Sequence, residues 1–174
     1  SYLTDADLRK FFSNTLNVYD ETTVRTDYQD KLRDKMALDS KIQSAYIIAD
    51  DKKTIDGVGK THERDIYSDY IKSEQGSIVN DSATNWFFFG VDDEADKALD
   101  LDIDNYCFRI AKKMNNDSAI MIINISDDFI RSTMKSLDPG KGGYVSLITE
   151  QDEREFFSDA NVKTDKSVIY GTDF

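Results

Sequence analysis

Histidine, cysteine and proline each occur only once in this chain of 174 residues. Cys107 alone cannot close an internal disulfide, so the fold depends on neither an oxidising nor a reducing compartment. With His62 as the only imidazole, histidine-clustered zinc sites and two-histidine iron sites are excluded. No apolar run approaches the roughly 20 residues that span a bilayer. No signal peptide opens the chain, so the stretch is expected to be soluble by itself. Its ends, Ser1-Tyr2-Leu3 and Tyr170-Gly171-Thr172-Asp173-Phe174, read as cut points. Internal repeats and low-complexity segments are lacking as well.

What is present is acid. The formal charge is −12 and the isoelectric point about 4.5. A field of that sign repels phosphate backbones and anionic headgroups, which argues against nucleic-acid and peripheral membrane binding. Hydrophobic content of 39%, with 11% aromatics, is enough for a packed core, and the length suits about one domain.

The first forty residues contain no glycine or proline. Apolar side chains recur there at Leu8, Phe11, Phe12, Leu16, Val18 and Tyr19, then Tyr28, Leu32 and Met36. The spacing predicts one long helix, opened by a Thr4/Asp7 capping box and bent where the pattern weakens over Asp20 to Arg25. Ser44 to Ile55 predicts a hairpin turning at Asp50-Asp51-Lys52-Lys53. Thr61 then caps a helix with the stripe Ile66, Tyr67, Tyr70 and Ile71, ending near Gly76. Residues 77–104 give no clear pattern. Tyr106 to Met114 reads as a strand. Ala119 to Ile125, apolar on both faces except at Asn124, reads as a central strand covered on two sides. Ser126 caps the next helix, with Asp127 and Asp128 complementing its dipole. Gly140 to Gly143 form a turn, and Gly142 to Phe157 a last strand pair.

Several motifs invite chemistry. Gly59-Lys60-Thr61 lies where a phosphate loop would, but Thr54 replaces the first glycine that lets backbone amides curl around phosphate, and Asp56 adds unwanted charge. Asp100, Asp102 and Asp104 open a calcium-loop pattern whose sixth position is Asn105 and whose twelfth is Ala111, so the bidentate closing ligand is missing; a solvated acidic edge is the reading. Cys107 sits in an apolar strand as a small buried thiol; a nucleophile pair with His62 requires the fold to bring the two together. Arg109, a lone cation in the same strand, calls for a salt bridge. The run Trp86-Phe87-Phe88-Phe89 cannot place four rings on one core face, so some must reach a second surface, either a ligand pocket or a packing partner.

Taken in order, the long helix, the hairpin SAYIIADDKKTI, a helix, a Trp-aromatic pair, two antiparallel strands ending MIINIS and a further helix resemble the membrane-distal half of a double Cache domain, an extracytoplasmic relative of PAS domains. GGYVSLITEQDEREFF resembles the opening hairpin of the membrane-proximal half. The resemblance implies an α+β fold with a long N-terminal helix packed on an antiparallel PAS-like sheet and a short, truncated second lobe. The boundaries are 1–40 for the helix, 41–137 for the distal lobe and 138–174 for the start of the proximal one. It also implies an extracytoplasmic ligand-sensing domain of a bacterial transmembrane chemotaxis receptor or sensor kinase, in which a bound small molecule shifts the N-terminal helix.

In one subgroup an Arg-x-Trp-Tyr stretch grips the carboxylate of an amino acid, and an aspartate at the end of the last strand grips its amine. Trp86 matches the tryptophan here, but Thr84, Phe87 and Asn124 stand in for the arginine, tyrosine and aspartate. The two charges that hold a zwitterion are lost, which points to a neutral or weakly polar ligand or to none. The ligand-binding candidates are Trp86, Phe88, Tyr106, Phe108 and Asn124. Tyr106 and Phe108 share one face by two-residue alternation, with Cys107 and Arg109 on the other; the buried amide of Asn124 needs partners from a ligand or from its neighbours. No catalytic residue, metal ligand or cofactor is assigned. Possible partners are a small molecule and a second copy of the chain, paired along the N-terminal helix. The rival readings are a dimerising interaction domain without a ligand and an enzyme of unknown type.

Overall fold

The computed structural model describes residues 6–50, 53–60, 62–82, 85–101, 105–114, 119–137, 140–141, 145–148 and 155–157. The N-terminal region holds two helices, α1 (Ala6–Phe12) and α2 (Val18–Leu38). They are separated at Asn14, which takes a left-handed φ of 56°, a conformation asparagine tolerates. Asn17 then caps α2 by accepting a hydrogen bond from the Asp20 amide at 2.9 Å. The long helix foreseen from the apolar spacing is therefore α2, and the stretch before it is a separate short helix folded back against it. The proposed cap at Thr4 and the one at Thr61 lie outside the described residues.

Five antiparallel strands form the main sheet: β1 (Ile42–Ala49), β2 (Lys53–Asp56), β3 (Trp86–Phe89), β4 (Tyr106–Lys113) and β5 (Ile120–Ser126), in the order β2-β1-β5-β4-β3. The β1–β2 pairing, Tyr46 with Asp56 through Ala49 with Lys53, is the expected hairpin. Between β2 and β3 run α3 (Ile66–Tyr70) and α4 (Glu74–Asp81), and between β3 and β4 runs α5 (Asp93–Ala98). The single helix expected after residue 61 is thus two: Asp65 caps α3, and the chain breaks at Ile71 so that Ser73 can cap α4. Among the described residues of the unassigned stretch 77–104 lie the end of α4, β3 and α5.

Alternation along the strands distributes two cores. Tyr46, Ile48, Ile120 and Ile122 pack with Phe89 and Ala111 under α3, α4 and α5. Ala45, Ile47, Ala49 and Met121 pack with Leu8, Phe11, Tyr28 and Leu32 of α1 and α2 on the opposite face. Each wholly buried isoleucine contributes roughly 1.5–3 kcal/mol by removal from water, and β5 is apolar on both sides because both sides are covered. The buried ammonium of Lys53 donates to the carbonyl of Phe11, stands 5.0 Å from the Phe11 ring and so closes the C-terminal end of α1.

After β5 comes α6 (Asp127–Ser136), capped by the Ser126 hydroxyl as its sequence foretold. It shelters a small cluster of Cys107, Met134, Phe108, Ile125 and Ile130. β6 (Ser146–Ile148) and β7 (Glu155–Phe157) pair antiparallel in a sheet of their own. The molecule is an α+β arrangement, with helices on both faces of an antiparallel sheet.

Candidate functional site

Three polar side chains stand abreast on the sheet face beneath α3, α4 and α5. Arg109 on β4 lies opposite Asn124 on β5, which lies opposite Ser44 on β1. All three are buried, Arg109 and Asn124 completely. A bulge between Tyr106 and Phe108 breaks the two-residue alternation. Tyr106 consequently shares a face with Arg109, whose Nη2 donates to the Tyr106 hydroxyl at 3.2 Å. Phe108 goes instead to the cluster beneath α6. The expected face-sharing of Tyr106 with Phe108, and of Cys107 with Arg109, is corrected on that account.

Every member of this row has a protein partner. Arg109 Nε donates to Asn124 Oδ1 at 2.9 Å, Nη1 to Gln75 Oε1 at 3.1 Å and Nη2 to Asp96 Oδ1 at 2.5 Å. The Tyr106 hydroxyl donates to the same Asp96 oxygen at 2.7 Å. Asn124 Nδ2 donates to Ser44 Oγ at 2.8 Å. Asparagine suits its place because it offers Arg109 an acceptor and Ser44 a donor at once, which a carboxylate cannot do. The salt bridge that Arg109 called for is made with Asp96 on α5, and Gln75 on α4 completes the cage.

Of the five candidates, the structure therefore gathers Tyr106 and Asn124 around Arg109, and protein atoms fill the space above them. Trp86 and Phe88 are elsewhere. They point away from the core face on edge strand β3 and are 44% and 65% exposed, with Lys112 Nζ 4.9 Å from the Trp86 ring. Phe87 and Phe89 take the inner side, their rings stacked at 6.0 Å. The inference that four consecutive aromatics must serve two surfaces holds; the outer pair is covered by neither α1 nor α2, which pack over β1 and β2.

The row opens at its Ser44 end into a groove of about 220 Å³, lined by Gln43, Ser44, Tyr46, Asp56, Val58, Lys60, His62, Asp100 and Leu101. Sequence reading passed over most of these residues, taking Asp100 for a solvated edge and the loop around Lys60 for a helix approach. The only signals were the solitary histidine and its basic neighbour, sited directly after a strand. The buried His62 ring lies between two acids, with Nε2 2.8 Å from Asp56 Oδ2 and Nδ1 3.3 Å from Asp100 Oδ2. Lys60 Nζ sits 2.7 Å from Asp100 Oδ2. This ammonium, hydrogen-bonded to Asp100, is the main cause of that carboxyl's lowered pKa.

Both imidazole nitrogens are thus taken by carboxylates, and neither is left to draw a proton from the Ser44 or Tyr46 hydroxyl. Cys107 lies under α6, apart from His62, its thiol directed at the Ile125 carbonyl at 3.5 Å; the two do not form a nucleophile pair. Among the described residues no group of three or more His, Cys, Asp or Glu side chains is disposed to hold a metal ion. The groove can offer hydroxyls and already hydrogen-bonded polar groups to a polar guest.

Burial raises the pKa of several acids around the row. Tyr46 is pushed up to about 12 by desolvation, with a hydrogen bond from Ser44 partly offsetting it. Tyr70 also reaches about 12, and Tyr106 is raised, desolvation leading in both. The Cys107 thiol is pushed up to about 12 by desolvation and then by Asp127. In the unfolded chain these groups ionise near 8.5–10. Above that range the unfolded state holds fewer protons than the folded one, so stability falls as pH rises from about 9 towards 12. Urea midpoints measured from pH 7 to 11 are expected to be level at first and then to drop steadily beyond about pH 9; a level profile to pH 11 would contradict the burial of these hydroxyls and this thiol.

No family model matches the chain, and no curated protein or solved structure matches it either.

Proposed function

We propose that this chain is a ligand-sensing domain of a transmembrane signalling receptor, exposed on the extracytoplasmic side, and that it binds a small neutral polar molecule in the groove between Ser44 and Lys60. The observation that carries this reading is the loop forming one wall of the groove. Residues 56–60 supply Asp56, Val58 and Lys60 to the lining and lie hard against α2. A Cβ on Gly57 would come 2.7 Å from Met36 Sδ and 3.2 Å from Leu32 Cβ, and one on Gly59 would come 2.9 Å from Arg33 Nη2. A guest that displaces this loop must therefore press on the long helix, because close-packed interiors transmit displacement rather than absorb it.

The chemistry of the guest follows from the lining. The charged side chains of the groove are already engaged with neighbours, Lys60 with Asp100 and Asp56 with the His62 ring, so a neutral molecule with hydroxyl or amide groups fits better than an ion. A volume below the roughly 300–1,000 Å³ of drug-sized pockets limits it to a few heavy atoms. The domain performs no chemistry, in keeping with a histidine whose two nitrogens are engaged. Exposed Val18, Tyr19 and Leu38 on α2 favour a second reading, in which two copies pair along this helix and no ligand is bound. No helix among the described residues is long and apolar enough to cross a membrane, so anchoring would come from segments outside them.

A thermal-shift screen over small polyols, amides and sugars distinguishes the two. A ligand at 100 times its dissociation constant adds about 2.7 kcal/mol of stability, a visible rise in Tm. Hits are expected to vanish in Tyr46→Phe and Lys60→Ala and to persist in Trp86→Ala. Hits that vanish only in Trp86→Ala would move the site to the outer face of β3, and a broad screen without hits would favour the pairing reading.

A further inference from the structure

His62 joins two parts of the chain that nothing else in the groove joins so directly. Its side chain, only 3% exposed, lies between Asp56, as deeply buried at the end of β2, and Asp100, in the turn after α5. Asp56 is engaged through both oxygens: Oδ1 accepts from the Val58 amide at 2.7 Å, and Oδ2 faces His62 Nε2 at 2.8 Å. Among the described residues it has no lysine or arginine as an ion-pair partner. Lys60 serves Asp100 instead, with Nζ 2.7 Å from Oδ2 and 3.1 Å from the carbonyl. The described lining thus sets two carboxylates against one ammonium, and a buried carboxylate is costly without a cation. The other groups near the ring do not supply one. Tyr46 of β1 stays neutral until about pH 12, Arg33 behind Gly59 is paired with Asp30, and Arg64 is bound to Asp69.

The hydrogen bonds make the same demand. Ionised carboxylates only accept, and a neutral imidazole has one N–H, so its second nitrogen would present a lone pair to a lone pair. Only the imidazolium donates to Asp56 and Asp100 together. The Asp100 carboxyl is held below its ordinary range by Lys60 first and by His62 after it, as a charged ring would do.

We propose that His62 is a proton-operated latch, which in its charged form ties the loop after β2 to the turn after α5. On losing a proton the ring keeps its bond to the buried Asp56 and releases Asp100, which is 40% exposed and retains Lys60. The groove then widens at that side, so the hydrogen ion is itself a ligand of the domain, with or without a further guest. The latch rests on these three side chains alone; that its release reaches α2 rests on the sensor reading above.

His62 is the only imidazole of the chain, so its ring nitrogens can be followed singly by NMR in the ¹⁵N-labelled protein, from about pH 5 to about pH 8. Both nitrogens are expected to carry protons at the acid end. Nδ1 alone should lose its proton as pH rises, and the amides of Val58, Gly59, Lys60 and Leu101 should shift with the same midpoint. Asp100→Asn separates a latch from a mere change of nearby charge. Asparagine tolerates the left-handed φ of 53° at this position, and its amide can accept from the charged ring or turn over and donate to the neutral one. In that variant the ring should still titrate while the amide shifts largely disappear. Lys60→Ala, which removes the same salt bridge but leaves both ties to the ring, should retain them. A ring nitrogen unprotonated even at the acid end, loop amides that do not follow the ring, or a full response in Asp100→Asn would overturn the latch. Loop shifts with silent amides at Arg33 and Met36 would uphold the latch and count against transmission to α2.

Discussion

Replacing Arg109 by methionine is expected to cost about 3–5 kcal/mol of stability, the range for removing one partner of a buried ion pair. Against the roughly 5–15 kcal/mol that holds a typical domain together, this would leave the fold marginal. Methionine recovers much of the volume but none of the donors. Asp96 Oδ1 would keep only the Tyr106 hydroxyl, while Asn124 Oδ1 and Gln75 Oε1 would each lose the donor described for them. A buried polar group left without its partner costs about 1–3 kcal/mol, more if charged. Asp96→Leu alone should be comparably harmful, since it strands the guanidinium. The double variant Arg109→Met with Asp96→Leu should recover a large part of the loss, because removing both charges spares their desolvation. Urea denaturation of the three variants tests this. A single Arg109→Met within about 1 kcal/mol of the parent would mean that the row is solvated and not the buried cage described, since a surface pair is worth no more than that.

The parts of the fold that could be read from the sequence are those governed by local periodicity. The β1–β2 hairpin, the two-sided strand Ala119 to Ile125 and the helix capped by Ser126 each announce themselves over no more than about a dozen residues, and each is found. What could not be read depends on partners. The bulge beside Cys107 shifts the parity of one strand, and its cause lies in the register with β5, so Tyr106 and Arg109 meet although simple alternation separates them. The break at Asn14 is a single left-handed residue inside a pattern that otherwise continues.

The candidate site shows the same division. The need of Asn124 for hydrogen-bond partners was legible from its place in an apolar strand; that they would be Arg109 and Ser44, on two different strands, was not. Trp86 drew attention by its chemistry, yet its fate was settled by topology, because β3 is the sheet edge that the N-terminal helices do not cover. The groove is assembled from β1, the loop after β2 and the turn after α5, so no window of sequence contains it. The lone histidine and its basic neighbour after a strand were its only markers.

Gly76→Ala is the second change with a large expected effect, about 3 kcal/mol of lost stability, at the upper end for overpacking. Alanine is ordinarily the better helix residue by nearly 1 kcal/mol, and Gly76 lies within α4, so propensity alone predicts a gain. Packing decides otherwise. The Ser73 amide and hydroxyl both donate to the Tyr70 carbonyl, at 3.0 and 2.7 Å, and the same hydroxyl accepts from the Gly76 amide at 3.1 Å. This knot draws the end of α3 onto the first turn of α4. A Cβ on Gly76 would stand 1.8 Å from Tyr70 O, 2.5 Å from Tyr70 C and 2.9 Å from Ile71 Cα. All three are backbone atoms, so no change of rotamer relieves the clash, and α4 must move. Gln75 moves with it, loosening its bonds to Arg109 and Gly90, so the injury spreads from the junction into the buried row. Gly140→Ala provides the comparison. Its φ of +83° strains an alanine, but nothing stands within 4 Å of the added carbon, and about 1 kcal/mol is expected. Thermal unfolding of the two variants should separate them clearly; a Gly76→Ala protein as stable as the parent would mean that α3 and α4 do not meet at this junction.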